Sequence, residues 1–370
     1  MSLLNDWTGA DPSLSPRAVL LRLGAMGALI AGAAGAFAFV GGWLSPGALT
    51  QARIVDRFER VNGPHPGFRR NHAKGLCLAG RFESSGRGER LSKASLFAPG
   101  RITPVNGRIA LAGGRPYAAD AATTVRSLAL RFQLPDGEEW RTGNNDIPVF
   151  PVRTPEAFYA QLLAAKPDPA TGKPDPEALK AFFAANPESV TAAALIKERT
   201  ITSGFADDTF RGLNAFWFVA RDGTRTPVRW AFVPEQTATA ENPAQTAAID
   251  KNYLFDAFAE SVRQAPVRWR LVATLGEAGD PTADATRPWP AERTSLDLGT
   301  MIVTATEAEA NGNCSDVNFD PLVLPAGIAG SDDPLLSARS AAYAQSFTRR
   351  VGEPKAPSAV HVAPAQGAGL

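Results

Sequence analysis

Hydrophobic positions along the chain form one continuous run near the N-terminus and a series of short, partly alternating runs after it. The continuous run, Leu23 to Leu44, carries no charge, with Arg17 and Arg22 ahead of it and Arg53 the next charge beyond. Its 22 residues match the roughly 20 that cross a ~30 Å hydrocarbon core as a helix. Two arginines on the N-terminal side would hold that end in the cytoplasm and send the rest of the chain across. Ala36-Phe37-Ala38 also has the small-x-small form of a signal-peptidase site, so a retained anchor and a cleaved signal both stay open. Six glycines, among them Gly24, Gly32 and Gly41, would weaken the same helix in water, which argues against a buried hairpin helix.

The short runs predict strands over 74–82, 125–132, 213–220, 226–233, 267–275 and 296–305, each rich in aromatic or β-branched residues. Asp222-Gly223 between two of them predicts an antiparallel hairpin. Apolar positions at helical spacing, opened by Thr154-Pro155 and by Asp333-Pro334, predict helices over 155–166 and 334–347, with a third over 176–185. Strands and helices come in separate runs, so the class is α+β around an antiparallel sheet or barrel. The chain divides into an anchor or signal segment (1–45), a globular domain (46–350) and a loose Pro/Gly/Ala tail (351–370).

Composition then narrows the chemistry. With 38 Lys+Arg against 37 Asp+Glu the net charge is +1, too little to attract a polyanion, so nucleic acid is excluded as the main partner. Two cysteines and three histidines make no zinc module. An oxidising compartment would let Cys77 and Cys314 pair, but they are read as small buried residues. His65 sits in a proline-flanked turn and His361 in the tail; His72, at the entry to the first strand, would project from a sheet with an apolar interior, and by itself reads as a satisfied buried histidine. Arg339, Tyr343 and Arg350 are spaced four and seven residues apart, on one helix face. A guanidinium one turn from a phenol favours the phenolate, and tyrosinate is an axial ligand of haem iron.

These residues carry a resemblance to the haem catalase family, in particular its short branch of catalase-related peroxidases. R-x-x-H-A-K-G stands at 69–75, N-N-D-I-P-V-F at 144–150, R-T-P-E-A-F at 153–158, F-D-P-L-V-L-P at 319–325 and R-x-x-x-Y at 339–343, in the family's order. The resemblance implies a catalase-type eight-stranded antiparallel β-barrel with flanking helices, without the family's C-terminal helical domain, and haem b between barrel and helices. By its motifs His72 is the distal acid/base, Tyr343 the iron ligand and Arg339 its partner. Asn145 is the distal amide, with Asn144 the near alternative. Arg69, Arg108 and Arg350 match propionate-binding arginines, and Phe150 and Phe158 match aromatics of the distal pocket.

One departure bears on the site. The family's usual pattern has a Ser two residues after the Arg of P-V-x-x-R, bonded to the distal His; here that place is Ala110, so the imidazole is expected to lose an orienting partner. A shorter shell also implies a more open haem. The reading is a haem peroxidase that reduces hydrogen peroxide or organic hydroperoxides with an unidentified organic reductant and has weak catalase activity. Alternatives are a true catalase, a hydroperoxide lyase and a non-catalytic haem carrier. The N-terminal segment implies a membrane-anchored or exported periplasmic protein; a homo-oligomer is left open.

Overall fold

In the computed structural model, which describes residues 15–41, 44, 47–236, 250–310 and 312–362, the first helix is α1 (Pro16–Val40). Ser15 caps it by accepting from the Ala18 N–H, with Pro16 at its first turn. It therefore starts at Pro16 rather than Leu23, and takes in both arginines; Gly42 and Trp43 of the expected run lie outside the described residues. Over Pro16–Phe39 it is long and apolar enough to cross a membrane, and none of its most apolar window is buried. Residues 1–50 and 51–370 form two compact units.

Among its described residues the second unit is built on ten strands: β1 (Gly75–Ser84), β2 (Ile102–Leu111), β3 (Arg126–Gln133), β4 (Glu139–Asn145), β5 (Phe210–Arg211), β6 (Phe216–Val219), β7 (Arg225–Pro234), β8 (Val267–Leu275), β9 (Ser295–Glu307) and β10 (Ile328–Gly330). All pairings are antiparallel. The order β7-β5-β4-β3-β2-β1-β9-β8 closes on itself through β7–β8, giving the expected eight-stranded barrel, while β6 and β10 continue from the side of β7. The β6–β7 hairpin turns at Asp222-Gly223 as predicted: Asp222 accepts from the Thr224 N–H and Gly223 takes the left-handed conformation.

Among the described residues six α-helices accompany the barrel: α2 (Gln51–Asn62), α3 (Pro155–Ala164), α4 (Pro176–Ala185), α5 (Pro187–Lys197), α6 (Tyr253–Gln264) and α7 (Pro334–Val351). α7 runs to Val351, four residues past the expected end, and so carries Arg350 within the helix. Four strands escaped the hydrophobic pattern: β5 and β10, which are only two and three residues long, and the longer β2 and β4. β2 contains Pro104 and Gly107, ordinarily turn residues, and β4 (EWRTGNN) is polar at most positions.

Strand periodicity sorts these residues between two faces. Leu76, Ile109, Leu128, Leu130, Phe132 and Trp140 point inward and are fully buried, with Phe132 and Trp140 stacked 4.7 Å apart. The residues between them point outward, beneath the helices. Two readings need correction here. Cys77, on the outer face of β1, is disulfide-bonded to Cys314, because the 312–319 segment packs directly over that face. The tail is not loose as far as it is described: Glu353 pairs with Arg70, Ser358 accepts from the Ala310 N–H, and Val360 is fully buried. Residues 363–370 lie outside the described residues.

Candidate functional site

The outer face of β1–β4 faces helices α2, α3 and α7 across a cavity of about 290 Å³. One register row runs Gly75, Ala110, Ser127, Asn145 across the four strands, and the next runs Cys77, Arg108, Ala129, Gly143. Residues two apart share a face, so both rows look outward. Ala110, Ala129 and Gly143 form a floor of small side chains. Gly75 of the R-x-x-H-A-K-G motif has a packing cause, since a Cβ there would lie 2.0 Å from Arg108 Nη2. α7 presents Leu335, Arg339, Tyr343, Phe347 and Arg350 to the same cavity, the spacing of one helical face.

His72 stands before β1 in the left-handed conformation, φ 52°, a strain that surrounding bonds must hold. They do so on both sides, because Asn71 Oδ1 accepts from the Gly113 N–H and Ala73 donates to the Gly113 carbonyl. Its pKa is lowered to about 3, first by burial and then by Arg108, Arg339 and Arg69. The imidazole is thus neutral at pH 7.

The same alternation separates the two asparagines. Asn144 points inward, is buried, and spends its amide there: Nδ2 donates to the Leu128 carbonyl and Oδ1 accepts from Trp230 Nε1 and Thr142 Oγ1. Asn145 points outward, on His72's side. The lost orienting partner expected from Ala110 is a third correction. Ser127, the register neighbour of Ala110 on β3, puts its Oγ 3.0 Å from His72 Nδ1 and 2.5 Å from Asn145 Oδ1. The sequence reading missed it, since a lone serine in an apolar strand carries no motif.

The three expected arginines meet in one cluster. Arg69 donates to the carbonyls of Cys314 and Val317, Arg108 to Glu309 at 3.0 Å, and Arg350 to the Ser315 carbonyl at 2.6 Å. Burial, with Arg108 and Arg350 nearby, lowers Arg69 to about 9, which still leaves it charged at pH 7. Glu309, absent from the sequence reading, lies between Arg69 and Arg108; burial would raise its pKa, but the two guanidiniums hold it below the usual range. Arg350 Nη2 is buried with no hydrogen-bond partner among the described residues.

Tyr343 and Arg339 both approach β4. A Cβ on Gly143 would stand 3.5 Å from Tyr343 Oη and 3.4 Å from Arg339 Nη2, so glycine leaves the space beside the phenol oxygen clear. The Arg339 guanidinium lies 5.9 Å from the Tyr343 ring centre. It donates to Asn214 Oδ1, and Asn214 in turn donates to Asp333, the cap of α7. Asn214 is a third unsignalled residue. Phe150 and Phe158 pack 5.9 Å apart at the cavity wall, with Phe58 of α2 a further 5.8 Å from Phe158.

A family model for catalase matches residues 44–360. The chain is 37% identical over 302 residues to a catalase-related peroxidase of Synechococcus elongatus, across 82% of this chain and 89% of that one. It is 29% identical over 307 residues to a catalase-related peroxidase of Mycolicibacterium paratuberculosis, across 83% and 96%. A solved bacterial catalase superposes with a TM-score of 0.69 at 21% identity, over 82% of this chain and 61% of that one. That likeness speaks for the fold, and this chain spans about three fifths of the solved chain's length. By the family match and the 37% identity, the chain belongs to the catalase family.

Proposed function

We propose that the chain is a haem peroxidase that reduces hydrogen peroxide, or a small organic hydroperoxide, with electrons from an organic donor. The observation that carries this is a single cavity lined by His72, Tyr343 and a buried arginine cluster. The catalase family is haem-dependent, and the residues present suit haem b. The floor at Ala110, Ala129 and Gly143 accommodates a flat ring. Tyr343 Oη, beside Gly143, would ligate the iron. Three guanidiniums against the single carboxylate of Glu309 leave two positive charges, which match two propionates, and the unpartnered Arg350 Nη2 is a ready donor for one of them.

Bound haem would supply the electrons that split the O–O bond. The chain's own residues handle protons and position. Neutral His72 takes the proton from one peroxide oxygen and returns it to the other, which leaves as water. Asn145 can donate a hydrogen bond to the peroxide without titrating. The apolar wall at Phe58, Phe150 and Phe158 keeps bulk water from the site. Two electrons and two protons from the donor complete the conversion of peroxide to two waters. Both relatives reported above are named catalase-related peroxidases, which favours donor oxidation over disproportionation.

The apolar α1 and the Cys77–Cys314 disulfide both support export to an oxidising compartment, the periplasm, with α1 as anchor or signal. The test of function is to give the haem-loaded protein peroxide together with a phenol or aromatic amine. Donor oxidation with little oxygen release is expected; rapid oxygen evolution with no donor oxidised would overturn the reading.

A further inference from the structure

Ser127, on the outer face of β3, carries a hydroxyl at the cavity that the peroxidase chemistry above does not yet use. It is nearly fully buried, at 8% exposure, and contacts both polar groups of the distal side, His72 Nδ1 at 3.0 Å and Asn145 Oδ1 at 2.5 Å. A serine has one proton to give. An amide oxygen can only accept, so the proton lies toward Asn145 Oδ1, and Ser127 Oγ is left to accept from His72. That requires the hydrogen of the neutral imidazole to sit on Nδ1.

We infer that Ser127 is a positioning residue that sets the tautomer of His72 and the amide orientation of Asn145 at once, replacing from β3 the serine that this chain lacks at Ala110. The consequence for the cavity is specific. His72 keeps a bare Nε2, able to take a proton from peroxide, and Asn145 keeps its NH₂, able to donate to peroxide. The reverse chain, with Asn145 donating to Ser127 and Ser127 to Nδ1, would leave an N–H and a carbonyl oxygen on the cavity side, the wrong polarity for both tasks. The register explains why the replacement works: Ala110, Ser127 and Asn145 are direct neighbours in one row, so a hydroxyl moved one strand over stays level with the imidazole and gains contact with the amide.

The inference rests on the peroxidase reading for its purpose, but its geometry is tested without haem. The chain has three histidines, so ¹⁵N-histidine NMR of the full haem-free chain in detergent, with His72→Ala to identify the signal, reports the tautomer directly. In the wild type Nδ1 is expected to carry the proton. In Ser127→Ala the Nδ1–H form should lose its dominance, and the rate of peroxide reaction per bound haem should fall about 10- to 100-fold while haem affinity is retained. Ser127→Thr, which keeps the hydroxyl, should preserve both. An unchanged His72 spectrum in Ser127→Ala would overturn the inference, as would an Nε2–H wild type or a Ser127→Thr protein that behaves like the alanine variant. A chain that shows the Nδ1–H signature but binds no haem would instead refute the peroxidase reading alone.

Discussion

At one end of the cavity Arg69 and Arg350 donate to backbone carbonyls of 314–317 and Arg108 to Glu309, all three charged; at the other, the neutral side chains of His72 and Asn145 meet through Ser127. The charged end has spare capacity, in Arg350 Nη2 and in the two positive charges that Glu309 does not balance. The neutral end is closed on its inner side and open only toward the cavity. On the proposed function the contrast is a division of labour: fixed charge would hold a dianionic group, and a neutral hydrogen-bond chain would keep its polarity for proton transfer. Each end can be broken separately.

The largest effect is expected on the holding side. Tyr343→Phe removes the one oxygen placed beside Gly143, and haem titration followed by absorption should show binding lost or its spectrum strongly altered; an unchanged spectrum would remove Tyr343 as ligand. Arg350→Ala deletes a charge-assisted contact of about 1.5–3 kcal/mol, so haem affinity should fall roughly tenfold to a hundredfold. A smaller loss should follow in Cys77→Ala/Cys314→Ala. The disulfide closes a loop of 237 residues and holds the carbonyls that receive Arg69 and Arg350, so thermal melting should report about 2–4 kcal/mol of lost stability and titration a weaker hold on haem.

The smallest effect is an absence of one. An exposed histidine would lose its base function as pH falls through about 6.5. His72, with its pKa lowered to about 3, should keep it, and the peroxide rate should show no acid inflection near pH 6.5. The linkage has the same sign: the unfolded chain binds this proton below about pH 6.5 and the native one does not, so His72 makes stability fall as pH drops from there toward 3. A rate inflection at pH 6–7 assigned to His72 would contradict its burial.

The two ends also differed in how far the sequence announced them. Arginines, the tyrosine and His72 are scarce or charged residues in fixed spacing, and α7 brought Arg339, Tyr343 and Arg350 to one face as the 3.6-residue period requires. Motif alignment favoured Asn145 and left Asn144 as the alternative; strand alternation, which turns Asn144 into the barrel and Asn145 toward the cavity, is what separates them. Ser127, Asn214 and Glu309 were not legible, because each acts through register or loop packing rather than through spacing along the chain. The same holds for the disulfide, whose partners are distant in sequence and become neighbours only when 312–319 folds over β1. The barrel was legible as a class, but β2 and β4 were hidden because strands that line a site carry Gly, Asn and Arg where a core strand carries apolar residues.

The most direct measurement of the division between the two ends is the stopped-flow rate of peroxide with haem-loaded His72→Ala, expressed per bound haem. The account predicts a fall of about 10²- to 10⁴-fold, with haem affinity close to that of the wild type. A rate equal to the wild type would mean that the neutral end does no chemistry and that the chain carries haem without using it.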